Sequence, residues 1–423
     1  MLSAVRSQSV LRSPSNDARL LFVTRFTRLF AYGALSVVLV FYLTGIGLSE
    51  SRIGLLLTLI LMGDTVVSLV LTTQADRIGR RRMLIIGSFL MTGAGLAFAF
   101  TSNFLFLVIA GTIGVVSPSG NEVGPFLSIE QAALAHVVSS STRTTAFAWY
   151  ALTGSFATAI GSLCGGMLPS LVDSSGTAPI KGYRAVVIAY AALGMVLTLV
   201  FARLSSATEV GVSEDRSSGL AAKKTLLGIG HSREIVFKLS GLFVLDSFGG
   251  GFVVQSFAAY WFYLRFGVDP ATLGVIFFWA NIFAGISALL ASRLASRFGL
   301  INTMVVTHLP SNILLILVPL MPNLPLAVLV LLVRFSISQM DVPTRQSYTM
   351  AVVSTEERSA AAGITGVART TGAAIGPLFV GLLFARPSLI NVPFFVAGTL
   401  KIVYDLLLYK EFVSIRPPEE VRR

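Results

Sequence analysis

Long apolar runs alternate with short polar connections along almost the whole chain. A helix needs about 20 apolar residues to cross the hydrocarbon layer of a membrane, and these runs reach or approach that length. Charged residues and clusters of Gly, Pro and Ser mark the ends of the runs. The pattern predicts twelve membrane-spanning helices, spans 1 to 12, near residues 21–46, 53–74, 83–101, 104–135, 145–170, 185–203, 238–264, 271–292, 300–321, 325–351, 360–385 and 389–409.

The composition points to the same class of protein. Of the 423 residues, 54% are hydrophobic and 12% are charged, whereas soluble proteins carry about 25% charged residues. In water such a chain would expose large apolar patches, so a soluble globular protein is excluded. The single cysteine, Cys164, lies in an apolar run, and one cysteine excludes an intramolecular disulfide bond.

Basic residues are distributed unequally between the two ends of the predicted helices. The connections and tails on the side of both chain termini hold 21 of the 32 Lys and Arg residues, and those on the other side hold five. Because cytoplasmic loops collect Lys and Arg, we expect both termini in the cytosol and a multi-pass protein of the plasma membrane. The formal charge of +12 is then a topology signal, and no nucleic acid is expected as a partner.

The polar segments predict the organisation of the chain. Residues 204–237 contain the only long polar stretch and are predicted to link two six-helix bundles. Arg6 and Arg12 among several serines give the N-terminal tail a faint similarity to an organelle transit peptide, but a cytosolic tail is favoured. The predicted parts are a tail at 1–20, a bundle at 21–203, the linker, a bundle at 238–409 and a tail at 410–423.

The two predicted bundles repeat each other. Residues 75–79 after span 2 resemble residues 295–299 after span 8, at an offset of 220. Residues 161–166 in span 5 resemble residues 376–381 in span 11, at an offset of 215. Several matches at nearly one offset indicate six helices that were duplicated. The predicted fold class is therefore an all-α membrane protein of twelve spans in two six-helix bundles.

These motifs resemble those of the major facilitator superfamily. The family pattern after span 2 is Gly-x-Leu-Ala-Asp-Arg-x-Gly-Arg-Arg/Lys, from which this chain departs at Thr72 and Gln74. Span 5 is similar to the motif of the family's antiporters but departs at Ala157 and Ser162. The basic residue that drug antiporters carry in span 4 is missing, as is the sugar-porter signature. The loop after span 2 matches the pattern at Ala75, Asp76, Arg77, Gly79, Arg80 and Arg81.

The resemblance implies a protein in which the two six-helix bundles move against each other by a rocking motion. It implies that Asp76 faces the N-terminus of span 11 and that Arg80 pairs with Glu130, so that these residues, with Arg77 and Gly79, latch the outward-open state. The alternative is that the arginines only mark the cytosolic side. Small residues and a Gly-Pro step let the helices of spans 5 and 11 approach closely. The helix-packing residues are Gly161, Gly165, Gly166, Gly372, Gly376, Pro377 and Gly381.

Ionisable residues inside the predicted spans are candidates for function, because each costs at least about 2.5 kcal/mol in the bilayer core. Arg25 and Arg28 lie near a span end, where snorkelling explains them equally well. Lys401 and Asp405, four residues apart in span 12, are interpreted as a structural pair. The informative residues are Asp64, Glu122, Asp246, Arg334, Asp341 and Arg345.

Spans 4 and 10 contain residues that interrupt a helix, at 117–125 and at 341–346. Broken helices at corresponding places in two repeats indicate a transport site. Asn121 and Glu122 are the first candidates for it, although a kink that places Glu122 at a loop edge is the alternative. Asp341 and Arg345 are the second candidates, and Trp279 is a weaker one.

Partly dehydrated carboxylates can bind and release protons, which makes Glu122, Asp341, Asp64 and Asp246 candidates for proton coupling. Arg334 and Arg345 either neutralise these acids or bind an anionic substrate, and the sequence does not choose between the two. The sequence contains no metal-ligand spacing, phosphate loop or hydrolase elbow. We therefore expect neither an enzyme nor a pump driven by ATP, and no metal or cofactor.

These features favour a secondary active transporter of a small organic molecule. We expect alternating access in a monomer that contacts the lipid bilayer, a small-molecule substrate and protons, with antiport slightly favoured over symport. Two alternatives stay open. One is an uncoupled facilitator or lipid translocator on the same fold, and the other is a non-transporting membrane receptor.

Overall fold

The computed structural model describes residues 16–121, 125–139, 143–172, 179–209, 229–230, 232–354 and 357–415, without the side chains of residues 76, 144, 207 and 359. The regular structure of these residues is helical. The α-helices are α1 (Asn16–Gly45), α2 (Glu50–Ile78), α3 (Arg80–Phe100), α4 (Phe104–Ile113), α5 (Phe126–Val137), α6 (Arg143–Val172), α7 (Pro179–Phe201), α8 (Arg233–Gly251), α9 (Gln255–Phe266), α10 (Pro270–Phe298), α11 (Leu300–Leu317), α12 (Leu324–Ser338), α13 (Asp341–Ala351), α14 (Arg358–Phe384) and α15 (Val392–Phe412).

Three of the predicted spans consist of two shorter helices each. Span 4 comprises α4 and α5, span 7 comprises α8 and α9, and span 10 comprises α12 and α13. In the described part of the chain, eleven segments are long and apolar enough to cross a membrane, and the short apolar helix α4 begins the remaining span. A helix satisfies its own backbone hydrogen bonds, which lipid cannot do. The predicted all-α membrane fold is confirmed.

The predicted repeat is visible in local structure. Gly79 ends α2 with φ 115° and Gly299 ends α10 with φ 86°, so the same turn follows spans 2 and 8. Asn103 and Asn323 accept hydrogen bonds from backbone N–H groups at the starts of α4 and α12, so the same cap begins spans 4 and 10. Each half of the fold thus repeats the other's turns and caps in the same order.

The two bundles touch at one end of the helices. We call the end with Asn16 and Phe412 the terminus face and the opposite end the far face. Between the bundles, α2 packs against α14 and α6 packs against α10. Near the far face a Cβ atom added at Gly54 would lie 2.8 Å from Cα of Gly381, and one at Gly166 would lie 2.8 Å from Cα of Gly274. The helices approach this closely because neither residue has a side chain.

The bundles separate toward the terminus face, as one side of α14 shows. Pro377 and Gly381 contact α2 near the far face. At helical spacing along the same side of α14, Thr370 is exposed, and Gly363 and Gly366 have no heavy atom within 4 Å of an added Cβ among the described residues. The side of α14 that faces the other bundle is therefore covered at the far face and open at the terminus face.

Candidate transport site

The break in span 4 is held against the other bundle. The chain leaves the helix after Ile113 and re-enters it at Phe126. Pro118 lies in this break, and its carbonyl accepts a hydrogen bond from the backbone N–H of Ser256 at 3.1 Å. Asn121, the first candidate from the sequence, is exposed, and Glu122 lies outside the described residues. The break thus contributes a backbone carbonyl to the contact between the bundles.

A group of polar side chains joins the bundles beside this break. The Nε2 atom of Gln255 donates hydrogen bonds to Oγ of Ser36 at 2.9 Å and to Oγ of Ser162 at 3.1 Å. Its Oε1 atom accepts a hydrogen bond from Nδ2 of Asn281 at 3.2 Å. We call these four residues the polar bridge. Sequence reasoning did not select Gln255 or Asn281, because neutral amides in a span carry no charge to single them out.

The breaks in spans 7 and 10 are short. Residues 252–254 separate α8 from α9, directly after the three glycines of residues 249–251. In span 10 only Gln339 and Met340 separate α12 from α13. The predicted break at 341–346 is therefore placed a little too late, since these residues are helical. Pro343 fits the first turn of α13, where a backbone N–H group has no partner within the helix.

The interior of the C-terminal bundle contains a buried group of charged side chains. Asp246 of α8 accepts hydrogen bonds from Nζ of Lys401 at 2.6 Å and from Nη1 of Arg345 at 2.8 Å. Arg345 also lies 3.3 Å from the carboxylate of Asp341. These side chains come from spans 7, 10 and 12. Since desolvation of a charge is costly, such a group is stable only when its members compensate one another.

His308 of α11 extends this group. Its Nδ1 atom lies 2.8 Å from Oδ1 of Asp405, and its Nε2 atom lies 3.9 Å from Oδ1 of Asp246. Asn312, one turn further along α11, donates a hydrogen bond to Oδ2 of Asp405 at 2.9 Å. We call the six charged and titratable residues the charge cluster, which comprises Asp246, His308, Asp341, Arg345, Lys401 and Asp405.

The charge cluster corrects one prediction and adds a residue. Lys401 and Asp405 do not pair with each other, because Asp246 of α8 and His308 of α11 reach them at 2.6 and 2.8 Å. The i, i+4 spacing brings both side chains into the interior, but tertiary contacts choose their partners. His308 was not selected from the sequence, although its spacing from Asn312 places two polar side chains on one face of an apolar helix.

The N-terminal bundle contains a smaller buried ion pair. Arg28 donates two hydrogen bonds to the carboxylate of Glu130, at 2.9 and 2.6 Å, and both side chains are fully buried. Thr24 donates to the same carboxylate at 2.7 Å, and the hydroxyl of Tyr150 also donates to it. Arg28 therefore does not snorkel to the membrane surface. Arg80 was the predicted partner of Glu130 in the outward-open state, and that pairing stays a prediction, since in the arrangement described here Glu130 pairs with Arg28.

The two bundles carry their buried ion pairs at equivalent places with the signs exchanged. Glu130 and Arg345 are 215 residues apart, the offset that relates spans 5 and 11. Their partners, Arg28 and Asp246, lie in spans 1 and 7, which are also equivalent in the repeat. Span 4 thus contributes the acid in one bundle, and span 10 contributes the base in the other. The repeat preserves the ion pair but not its orientation.

Two further arginines lie beside the charge cluster. Arg334 of α12 stacks on Phe335, with its guanidinium carbon 5.0 Å from the ring centroid. Arg369 of α14 was not selected from the sequence. The Nε atoms of both arginines are buried and have no hydrogen-bond partner in the described part of the chain. Arg345 pairs with Asp246 and Asp341, whereas no acid among the described residues forms an ion pair with Arg334 or Arg369.

Two sequence candidates lie away from the charge cluster. Asp64 is buried in α2 of the other bundle, with 6% of its surface exposed. Trp279 is 47% exposed and follows Val275 on an apolar stripe of α10 that continues at Ile286. An exposed apolar stripe on a spanning helix is the composition expected of a surface in contact with lipid. The structure therefore does not bring either residue together with Asp341 and Arg345.

The predicted latch residues lie at the terminus face. The side chain of Asp76 is outside the described residues, and Arg77 is exposed. Arg80 donates hydrogen bonds from Nη1 to the carbonyls of Ala132 and Thr208, at 3.3 and 3.4 Å. The start of α3 is also capped by an acid that the sequence analysis did not select. This is Glu209, whose carboxylate accepts hydrogen bonds from the backbone N–H groups of residues 80 and 81 at 2.7 and 3.1 Å.

The residues of the predicted helix-packing motif lie where helices cross. Added Cβ atoms at Gly161 and Gly165 would lie 2.1 and 2.3 Å from carbonyl oxygens of α1, and one at Gly166 would meet α10. In span 11, added Cβ atoms at Gly372 and Gly376 would meet the backbone of α8. Gly381 and Pro377 face α2. Spans 5 and 11 thus use small residues both within a bundle and between the bundles.

Comparison with known proteins agrees with this architecture. The family model of the Major Facilitator Superfamily matches residues 21–264 and 239–423. The uncharacterized membrane protein YJR124C of Saccharomyces cerevisiae is 31% identical over 426 residues, which cover 95% of each chain. Each half of the present chain therefore carries the sequence pattern of one family.

Solved structures share the fold at low sequence identity. The nucleoside transporter NupG superposes with a TM-score of 0.71 at 15% identity, over 94% of this chain and 99% of that one. The xylose transporter XylE from E. coli, in an inward-open conformation, gives 0.71 at 16% identity over 96% and 98%. These neighbours share the fold, and the family match indicates a transporter and not an enzyme. The chain belongs to the major facilitator superfamily.

Proposed function

We propose that this protein is a secondary active transporter of a small organic molecule, driven by protons, in which the two bundles open alternately to the two sides of the membrane. The observation that supports proton coupling is the buried charge cluster. The opening at the terminus face supports alternating access, because it represents one of the two required arrangements. The basic residues predict cytosolic termini, so this arrangement is open to the cytosol. The membrane that we propose for the protein is the plasma membrane.

The charge cluster is suited to holding one exchangeable proton. Its carboxylates, from Asp246, Asp341 and Asp405, outnumber its permanent cations, Arg345 and Lys401, by one. A proton on His308 or on one carboxylate brings the summed charge of these six residues to zero, apart from the neighbouring Arg334 and Arg369. When rocking of the bundles changes the access of water to the cluster, the proton can leave to the side that is open. Glu122 and Asp64 stay additional candidates from the sequence.

His308→Gln is expected to flatten the pH dependence of transport while leaving measurable substrate movement. Glutamine retains hydrogen bonding to Asp405 but cannot carry a proton between pH 5 and 8. The measurement is the internal pH of proteoliposomes and the uptake of labelled substrate, each followed over a range of external pH. His136→Gln, at an exposed position of α5, is the matched control and should behave as wild type. An unchanged pH profile in His308→Gln would remove this residue from the coupling site.

The substrate is sought with a panel of organic anions, cations and neutral molecules added to the same proteoliposomes. Substrate-dependent proton flux in the direction opposite to the substrate indicates antiport, which the partial antiporter motif of span 5 slightly favours. Flux in the same direction indicates symport. Tracer movement without proton flux indicates the uncoupled facilitator, and silence of both signals across the panel indicates the receptor alternative.

A further inference from the structure

We propose that the transported molecule is a small organic anion and that Arg334 and Arg369 bind its carboxylate or phosphate group. This inference rests on the proposed function, and it assigns the buried arginines to different roles. Arg345 neutralises Asp246 and Asp341 within the charge cluster. Arg334 and Arg369 make no hydrogen bond or ion pair with any residue that the structure describes.

The charges of the C-terminal bundle support an anionic ligand. The three carboxylates of the charge cluster face four permanent cations when Arg334 and Arg369 are counted with Arg345 and Lys401, so one positive charge is in excess, and two are in excess once the cluster binds a proton. Arg369 is close enough to Arg345 to be repelled by it, while Asp246 and Asp341 attract it. Asp341 also attracts Arg334. Arg334 and Arg369 are half-buried, and their Nε atoms are out of contact with solvent. A partly dehydrated guanidinium without an acidic partner is costly, and a carboxylate or phosphate that accepts its planar set of N–H donors offsets that cost.

The position of Arg369 gives such an anion a route of entry. Along α14 the neighbouring Gly366, Val367, Thr370 and Thr371 are exposed. Gly366 and Thr370 lie on the side of the helix that faces the gap between the bundles. Arg369 is next to Thr370, at the edge between this gap and the charge cluster, about half-way along α14. An anion entering from the terminus face therefore meets Arg369 before it reaches the acids of the cluster.

The first test needs no ligand. Arg334→Met and Arg369→Met are each expected to raise the melting temperature of the purified, ligand-free protein, by about 2 °C or more, because a partly dehydrated charge without an acidic partner is removed. Arg345→Met, which removes the cation that Asp246 and Asp341 share, should lower it. Arg297→Gln, at an exposed end of α10, is the control. A lower melting temperature in both Arg334→Met and Arg369→Met would show that these residues are structural and would overturn the proposal.

The second test uses matched probes at millimolar concentration. Gluconate and glucose 6-phosphate are compared with glucose, and nicotinate is compared with nicotinamide, by the rise in melting temperature that each produces. At least one anion is expected to stabilise the wild type more than its neutral counterpart. In each Met variant, the concentration of that anion needed for the same rise in melting temperature should be about tenfold higher or more. The two sugar anions distinguish carboxylate from phosphate. No preference for anions, or a preference that survives both variants, would overturn the assignment. Because melting needs no transport, failure here is distinct from failure of the proton-flux assay.

Discussion

Replacing Asp246 with asparagine is expected to destabilise the protein by about 3–5 kcal/mol and to abolish transport. Asp246 accepts hydrogen bonds from Lys401 and Arg345, and all three side chains are at least nine-tenths buried. Loss of this carboxylate leaves two cations in a dry interior without their main acceptor. The free-energy cost of these unpaired cations is larger than the net stabilisation that the ion pair gives. Unfolding of the purified protein and uptake by proteoliposomes give the two measurements.

A second substitution separates lost compensation from a general packing defect. Combining Asp246→Asn with Lys401→Met removes one of the stranded cations and is expected to recover part of the lost stability. Asp269→Asn is the matched control, because Asp269 caps α10 near the membrane surface, where asparagine caps a helix equally well. A loss below about 1 kcal/mol in Asp246→Asn would mean that water already compensates Lys401 and Arg345.

Gly381→Leu is expected to prevent closure of the far face and to stop transport. An added Cβ at Gly381 would lie 2.4 Å from the carbonyl oxygen of Glu50 and 2.7 Å from Cα of Gly54, so α2 and α14 must move apart to fit a larger side chain. Overpacking of this kind costs about 1–3 kcal/mol in the crowded arrangement. The population should therefore shift toward the arrangement that is open at the far face.

Labelling of a buried cysteine measures that shift. Ser36→Cys, in a Cys164→Ser background, places a single thiol in the polar bridge, which the far face covers in this structure. A membrane-impermeant maleimide should label this thiol faster when Gly381→Leu is also present. Gly93→Leu is the control, since an added Cβ at Gly93 meets no described atom within 4 Å. Equal labelling rates would show that α2 and α14 accommodate leucine without parting.

The sequence predicted the fold because membrane spans depend on local properties. The length of an apolar run and the Gly, Pro and Ser residues that interrupt it are visible in one dimension, so the twelve spans and the break in span 4 were predicted. The break in span 7 follows the three glycines of residues 249–251, a local signal from which no break was predicted. The turns at Gly79 and Gly299 follow from the same local chemistry.

The partners of the buried charges were not predictable in the same way. Spacing on one helix suggested that Lys401 pairs with Asp405, but the approach of α8 and α11 gives each of them another partner. The motif after span 2 suggested Arg80 for Glu130 in the outward-open state, but it gave no sign that Arg28 of α1 pairs with Glu130 in the arrangement described here. Arg369 was not selected, because its helix was interpreted only as a packing element on the basis of its Gly-Pro motif. Such choices depend on how distant segments assemble, which no single run of residues encodes.

Opening of the far face must expose the polar bridge and the break in span 4 to water. When the bundles part there, Gln255 loses Ser36 and Ser162, and the carbonyl of Pro118 loses the N–H group of Ser256. Buried donors and acceptors need replacement partners, and in this gap only water can supply them. In the arrangement open at the far face these groups are therefore hydrated, whereas here they are paired within the protein. Osmolytes that are excluded from protein surfaces should oppose this hydration and slow the step in which the far face opens.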